Sequence, residues 1–448
     1  MSRSFRLISL GCAKALVDSE MLAARLQDAG WSITDAEEAD LVVVNTCAFI
    51  QDATEEAIDT LLQEAERKQT GQVKWLAAVG CLPEKYRDKL AREMPELDLV
   101  AGVNDLARLD HLLEQMIARG KRRVAISPHR REYDEQPGRL LSTPFYRGYL
   151  KIAEGCSNAC AYCIIGRLRG PARSRRPEAI VAEANELVQG GVIELDVIAQ
   201  DITRYGLDLR PRYLLPELIR RLDGVEGLRW LRLLYAHPAY VDEKLTTAMA
   251  GAGKVVPYLD LPLQHVSDRV LKRMNRPQTR AQSERVLKML RENVPGIALR
   301  TTFLVGHPGE TEEDFAQVLD FVKTWRFEHL GAFAWSPEIG TPSYEQDDWV
   351  TAEIAQERLA RLLALQEEIS RDLWREWEGR EVDVLVEEVL HKHDDQAFTH
   401  VGRIAQQAAE VDGVTYLRAP TEQDCAVGQV VRGRIVDADA YELFAELI

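Results

Sequence analysis

Gly155-Cys156-Ser157-Asn158-Ala159-Cys160-Ala161-Tyr162-Cys163 gathers three thiols into eight residues, directly after a strand-like run at 149–153. The surrounding segment, 142–375, repeats the strand signal at 193–198, 231–235, 255–261, 299–305 and 329–335. Helical periodicity falls between most of these runs, as at 177–188 and 279–289. Six β/α repeats predict an α/β fold with a curved parallel sheet or incomplete barrel. In such a sheet the loops at the carboxyl ends of the strands carry the chemistry. The segment 352–377 reads as one or two helices closing this region. Three thiolates in one loop suit zinc or an iron–sulfur cluster, but a closed zinc site needs a fourth ligand and no neighbouring His or Cys has an obvious claim. The spacing in this context favours a [4Fe–4S] cluster with one iron left open. Tyr162 reads either as a cover beside the ligands or as a core aromatic.

Upstream, 1–137 predicts a second α/β unit. Apolar runs at 5–10, 41–45 and 73–79 each end in a cysteine, Cys12, Cys47 and Cys81, and each is followed by a helical pattern. In a parallel sheet the carboxyl ends share one edge, so three cysteines about 35 residues apart can converge there. They read as a second three-thiolate ligand set, with small buried thiols as the competing explanation. The basic stretch within 118–141 reads as a connector, a pair of edge elements or a contact surface. Beyond it, 379–448 changes character, with short strand-like runs between Asp-, Gly- and Gln-rich turns that suit a small β-barrel. This tail has six Lys/Arg against fourteen Asp/Glu, a balance suited to a basic protein partner and not to a phosphate backbone. Its Cys425 has no companion thiol and reads as structural.

The whole chain of 448 residues has 46% hydrophobic and 29% charged residues and a formal net charge of −16. That is enough material for two or three cores, and it argues against broad non-specific nucleic-acid binding. No run of about 18 apolar residues is present, so no membrane span is expected. The first residues lack a secretion signal's apolar stretch, and seven cysteines without a dense pairing pattern suit reduced metal ligands. The expected location is cytoplasmic.

The loop with Cys156, Cys160 and Cys163 resembles the signature of the radical S-adenosylmethionine superfamily. Within it, the chain resembles the methylthiotransferases. The supporting segments include Ser9-Leu10-Gly11-Cys12, Asn45-Thr46-Cys47, Gly80-Cys81, Arg169-Gly170, Ala199-Gln200-Asp201, Leu261-Pro262-Leu263-Gln264-His265, Met274-Asn275-Arg276 and Pro308-Gly309-Glu310-Thr311. The resemblance implies a cysteine-bearing α/β domain at 1–137, a partial (β/α)6 radical barrel at 142–375 and a TRAM-like β-barrel at 379–448. It also implies two [4Fe–4S] clusters and S-adenosyl-L-methionine. One cluster, on Cys156, Cys160 and Cys163, would cleave S-adenosylmethionine to a 5′-deoxyadenosyl radical. The other, on Cys12, Cys47 and Cys81, would hold the sulfur that a second S-adenosylmethionine methylates.

Gly190, Gly191 and Glu194 resemble the region that approaches the methionyl part of the cofactor, and Gln200 and Asp201 end the next strand where ribose or substrate would lie. A turn and ordinary strand carboxylates are the competing reading. Arg169, Arg173, Arg175 and Arg176 form a basic run that either meets carboxylates or is solvated. His265 and His307 read as loop residues. Two substrates share this machinery: an aspartate of ribosomal protein S12, free or in the small ribosomal subunit, or an adenosine of transfer RNA. The Cys12-Ala13-Lys14 opening with Val17-Asp18-Ser19-Glu20, and the acidic tail, favour the protein. Pro and Asn are expected at the positions of Ala13 and Ala15, and Pro at that of Gly166, which leaves loop shape open there. An electron donor and a sulfur donor are implied partners. A plain iron–sulfur electron carrier is the broader alternative.

Overall fold

The computed structural model describes residues 3–129, 132–133, 135, 138–390, 398–421 and 424–448. Strands β1 (Arg3–Ser9), β2 (Trp31–Ile33), β3 (Ala39–Thr46), β4 (Val73–Gly80), β5 (Leu99–Gly102) and β6 (Arg123–Ala125) pair in parallel in the order β2-β1-β3-β4-β5-β6. Helices cover both faces, which is why Leu41–Val44 and Leu76–Val79 are continuous buried runs without alternation. The three sequence repeats are present. The short β2, β5 and β6 widen the sheet, and three or four residues carry no legible period. Arg123–Ala125 makes the front of the connector an edge strand, and Arg122 donates to the carbonyls of Ala91 and Pro95. Arg130 and Arg131, the rest of that basic patch, lie outside the described residues.

The second sheet holds β7 (Arg147–Lys151), β10 (Glu194–Ile198), β11 (Trp230–Leu233), β12 (Val255–Asp260), β13 (Ala298–Val305) and β14 (His329–Ala334). A two-stranded ribbon, β8 (Ala153–Glu154) with β9 (Arg173–Ser174), lies between β7 and β10 in the chain. All six main strands are parallel and in chain order, with β7 and β14 at the two ends of the order, so the barrel is open. Outward residues such as Leu150, Leu195, Val197 and Leu231 pack under the helices. The alternate, inward residues include Arg147, Tyr149, Lys151, Glu194, Asp196 and Arg232, all buried. A lining this polar must be partnered, and it is partnered from both neighbouring units.

β15 (Glu381–Val389), β16 (His400–Ile404), β17 (Thr415–Arg418), β18 (Val430–Ala438) and β19 (Leu443–Leu447) close a small barrel. The helix Ala352–Arg375 leads into it, with Leu362 and Ile369 in the large core and Trp374 in the small one. The segment after β16 reaches under the open barrel. Arg232 and His329 donate to the carbonyls of Ala405 and Gln406, Arg300 pairs with Asp412 at 2.9 Å, and Arg147 pairs with Glu410. Part of the tail's acidity therefore faces inward. Among the described residues no helix is long and apolar enough to cross a membrane.

Candidate functional site

Cys12, Cys47 and Cys81 stand at the carboxyl ends of β1, β3 and β4, three adjacent strands. The approach is tight enough to require glycine. A Cβ on Gly11 would lie 2.7 Å from the Cys47 Cβ, and one on Gly80, at φ +94°, would overlap the Asn45 side chain. Asn45 itself donates to the Ala15 carbonyl and to Ser19, tying β3 to the helix Ala13–Asp28 that Cys12 begins. Burial pushes Cys47 up and Cys81 up to about 11. Cys12 keeps some open surface, and its desolvation is outweighed by the cations of Lys14 and Arg169 and by the Ala15 and Lys14 amides, so its thiol lies below the ordinary value.

Cys156, Cys160 and Cys163 lie in the loop that leaves β8, above the end of β7. The loop is fixed along its length. The Cys156 amide donates to the Gly170 carbonyl, that of Ala161 to Met274, and Ala161 accepts from Ser343. Asn275 donates to the Ala159 carbonyl, and Asn158 to Asp201 at 2.7 Å. The Cys156 sulfur accepts from the Asn158 amide at 3.4 Å, and Arg276 reaches the Cys160 sulfur at 3.8 Å and the Tyr162 hydroxyl at 3.2 Å. Burial pushes Cys156 up to about 11 and Cys163 to about 12. Thiols with values raised in this way need a neighbouring positive charge, such as a metal supplies, to stand as thiolates. Among the described residues no three Cys, His, Asp or Glu side chains are grouped as ligands of a single ion.

Around the second set, several buried polar atoms have no partner among the described residues: Gln200 Oε1, His237 Nε2, Arg276 Nε and Gln278 Oε1. His237 is pushed down to about 2 by burial and then by the Arg276 and Arg204 cations, so its ring is neutral. Soft thiolates from one loop beside unmatched donors and acceptors fit a cluster carrying a polar ligand.

Arg169 joins the two sets. It ends the short helix Ile165–Arg169 that follows Cys163, is 2% exposed, and lies against Cys81 with Cys12 and Cys47 nearby. Its Nη1 bonds Asp18, on the helix begun by Cys12, and Glu154, two residues before Cys156, each at 3.0 Å. Lys151 bonds the same two carboxylates. These four charges are the seam between the units.

The predicted pocket residues divide. Gln200 donates to Glu154 at 3.0 Å, and Asp201 holds Asn158 while accepting from Thr203, so both stand at the cysteine end. Gly190, Gly191 and Glu194 do not. Gly190 caps the helix Pro177–Gln189, and Gly191 turns the chain into β10 beside Phe145. Glu194 is the first residue of β10, and four further residues carry the strand roughly 13 Å away to its cysteine end. There it is buried between Arg232 at 2.9 Å and Arg403 at 2.6 Å, whose cations hold it well below the ordinary carboxylate range despite burial. The reading of these three as cofactor contacts is corrected accordingly. Of the basic run, Arg175 pairs with Glu135 and Glu183, Arg173 bonds Asn104, and Arg176 is exposed. His265 accepts from the Ser267 amide, and His307 bonds Ser343 at 2.7 Å. Glu154 and His237 were missed. A lone acid before a cysteine loop and a lone His before Pro have no spacing signal.

Comparison with known proteins gives three family models in sequence: the uncharacterized protein family UPF0004 over residues 4–102, the radical SAM superfamily over 150–322 and the TRAM domain over 379–448. The ribosomal protein uS12 methylthiotransferase RimO of Geobacter sulfurreducens is 44% identical over 443 residues, 99% of this chain and 98% of its own. That of Desulfitobacterium hafniense is 41% identical over 448 residues, covering 100% and 99%. Among solved structures, the radical S-adenosylmethionine methyltransferase TsrM of Kitasatospora setae superposes with a TM-score of 0.57 at 18% identity, over 77% of each chain. The cobalamin-dependent radical enzyme OxsB gives 0.54 at 15% identity, over 82% of this chain and 56% of that one. These two likenesses are of fold.

Proposed function

This chain belongs to the ribosomal protein uS12 methylthiotransferase family of the radical SAM superfamily, and from that premise we propose how its residues divide the work. The reaction replaces a hydrogen on the β-carbon of a uS12 aspartate by a methylthio group. Cys156, Cys160 and Cys163 would hold a [4Fe–4S] cluster together with S-adenosylmethionine, and Cys12, Cys47 and Cys81 would hold a second cluster. When bound, these groups supply the electron, radical and methyl chemistry. The protein's part is to fix them and the acceptor carbon relative to one another and to exclude water. Arg276 braces Cys160 and Tyr162, while Asp201 and Asn158 brace the start of the loop. Gln200 and His237 offer unmatched polar atoms to a bound ligand.

The observation that carries this reading is the seam, where Arg169 lies against Cys81 and ends the short helix that follows Cys163. Two three-thiolate sets meeting across one buried guanidinium suit a transfer between two groups better than an electron carrier. Among the described residues, Glu387, Glu410 and Asp412 pair inward, so recruitment of a basic protein falls to the acids on the outer face of the small barrel.

The test is mass spectrometry of uS12 and of total transfer RNA after anaerobic reaction with S-adenosylmethionine, reductant and sulfide. The expected product is uS12 with SCH3 in place of H on one aspartate, from a chain holding about eight irons. Replacing Cys156, Cys160 or Cys163 by Ala should abolish 5′-deoxyadenosine. Replacing Cys12, Cys47 or Cys81 should stop sulfur insertion and leave cleavage. Modified transfer RNA with unmodified uS12 would refute the substrate.

A further inference from the structure

Lys14 is the second residue of the helix Ala13–Asp28, two past Cys12, and is 6% exposed. The other buried cations nearby have acids. Lys151 and Arg169 share Asp18 and Glu154, Arg232 has Glu194, and Arg300 has Asp412. Arg276 is engaged with Cys160, Tyr162 and the Pro262 carbonyl. Among the described residues the Lys14 ammonium has no carboxylate, carbonyl or hydroxyl partner. It rests on the Tyr235 ring, 3.2 Å from its centroid. A ring face alone is poor compensation for a buried ammonium with three donors.

Tyr235 places that ammonium at the barrel mouth. It follows β11 in the left-handed region, at φ +66°, where a bulky residue is seldom found. Two bonds hold it there: its amide donates to Asp260 at 3.0 Å, and its carbonyl accepts from Ile202 at 3.1 Å. Ile202 follows Gln200-Asp201, which braces the Cys156 loop. Lys14 is thus carried by the first cysteine set and aimed at the mouth of the second, from a strained residue that over-determined bonding keeps in place.

We propose that Lys14 binds the carboxylate of the acceptor aspartate and selects that side chain. The inference rests on the reading of the substrate as a uS12 aspartate. In aspartate the β-carbon is bonded directly to the carboxylate carbon, so a cation gripping the carboxylate fixes the reacting carbon one bond away, beside the Cys12 set. An adenine ring offers no anion at that point. Asp260, which accepts from the Tyr235 amide and lies 3.8 Å from Arg300, and the Cys12 thiol both feel the Lys14 charge, but neither hydrogen-bonds the ammonium, whose donors stay open to a ligand.

The test uses reconstituted full-length enzyme with purified uS12 and with uS12 carrying Asn for its acceptor Asp. Wild-type enzyme should bind the Asp form roughly 10–100-fold more tightly than the Asn form, the range for a charge-assisted bond. Lys14→Met should bind both forms alike, with KM raised for the Asp form. Lys14→Arg should recover part of the preference, and iron content should be unchanged in both. Retention of the Asp preference by Lys14→Met overturns the proposal. So does a loss of iron in Lys14→Met, which would place the ammonium in service of the cluster. Were wild-type enzyme to leave uS12 unmodified, the aspartate reading itself would fall, and this proposal with it. Discrimination by Lys14→Met on a uS12 that is modified sinks the role of Lys14 alone.

Discussion

Arg169→Met should loosen the seam between the two cysteine sets by an amount that the surrounding charges set. In the folded chain two carboxylates, Asp18 and Glu154, face two cations, Arg169 and Lys151, all buried. Removing the guanidinium leaves two buried anions sharing one ammonium. Breaking a buried pair from one side costs about 3–5 kcal/mol, and the remaining Lys151 argues for the lower end. The chain has several cores, so the seam is best followed locally. Cys81 is 5% exposed and lies against Arg169. Its labelling by a thiol reagent in cluster-free protein reports seam opening, and about 3 kcal/mol corresponds to labelling roughly 150-fold faster. Adding Asp18→Asn to Arg169→Met restores one anion to one cation, so the double variant should label more slowly than the single one, a sign that independent sites cannot give. Labelling within about threefold of wild type, or a double variant that labels faster still, would refute the ion-pair account of the seam.

His307 gives a pH dependence of defined sign. Burial pushes it down to about 4, whereas the unfolded ring takes up its proton near 6.5. Its contribution is therefore complete above pH 6.5 and is lost as the pH falls through 4, by about 3 kcal/mol, and denaturant titrations at pH 7 and 5 should show His307→Gln with the flatter slope. Arg403→Met strips a buried cation from Glu194 and Glu387 and should destabilise by about 3 kcal/mol with faster proteolysis between the barrels. Arg434→Met, which breaks an exposed pair with Glu381, should stay within about 0.5 kcal/mol in the same assays.

Much of this was legible in the sequence, and the illegible part has a common cause. The runs ending in Cys12, Cys47 and Cys81 announced themselves because strands buried on both faces are continuously apolar, and equivalent strand ends meet at one edge. The Cys156 loop is local and needs no fold to be seen. Glu194 was misplaced because a carboxylate near a strand says nothing about which end the chemistry occupies. It lies at the amino end of β10, where its partner Arg403 comes from 209 residues away. Arg169 sits in a basic run that reads equally as solvated. Its meaning depends on Asp18, 151 residues upstream, and on a burial that sequence does not display. Long-range ionic partners were the hidden term in each case.

The distance between the two cysteine sets is a property of neither sheet. Each set is rigid within its own unit, Cys12, Cys47 and Cys81 on adjacent strand ends and the other three in a loop pinned by Met274, Asn275 and Ser343. What fixes one set against the other is the packing of the helix Ala13–Asp28 on β7 and the charges of Asp18, Lys151, Glu154 and Arg169. A misplacement of about 1 Å between reacting groups is enough to lose about two orders of magnitude in rate. Apolar packing alone tolerates sliding of that size, whereas a guanidinium and an ammonium shared by two carboxylates at defined distances do not. The same helix carries Cys12, Lys14 and Asp18 within its first turns, so one element sets a thiol of the first set, the cation on Tyr235 and the anchor of the seam. A substitution that rotates this helix must therefore move the Cys12 thiol, the Lys14 ammonium and the Asp18 carboxylate together.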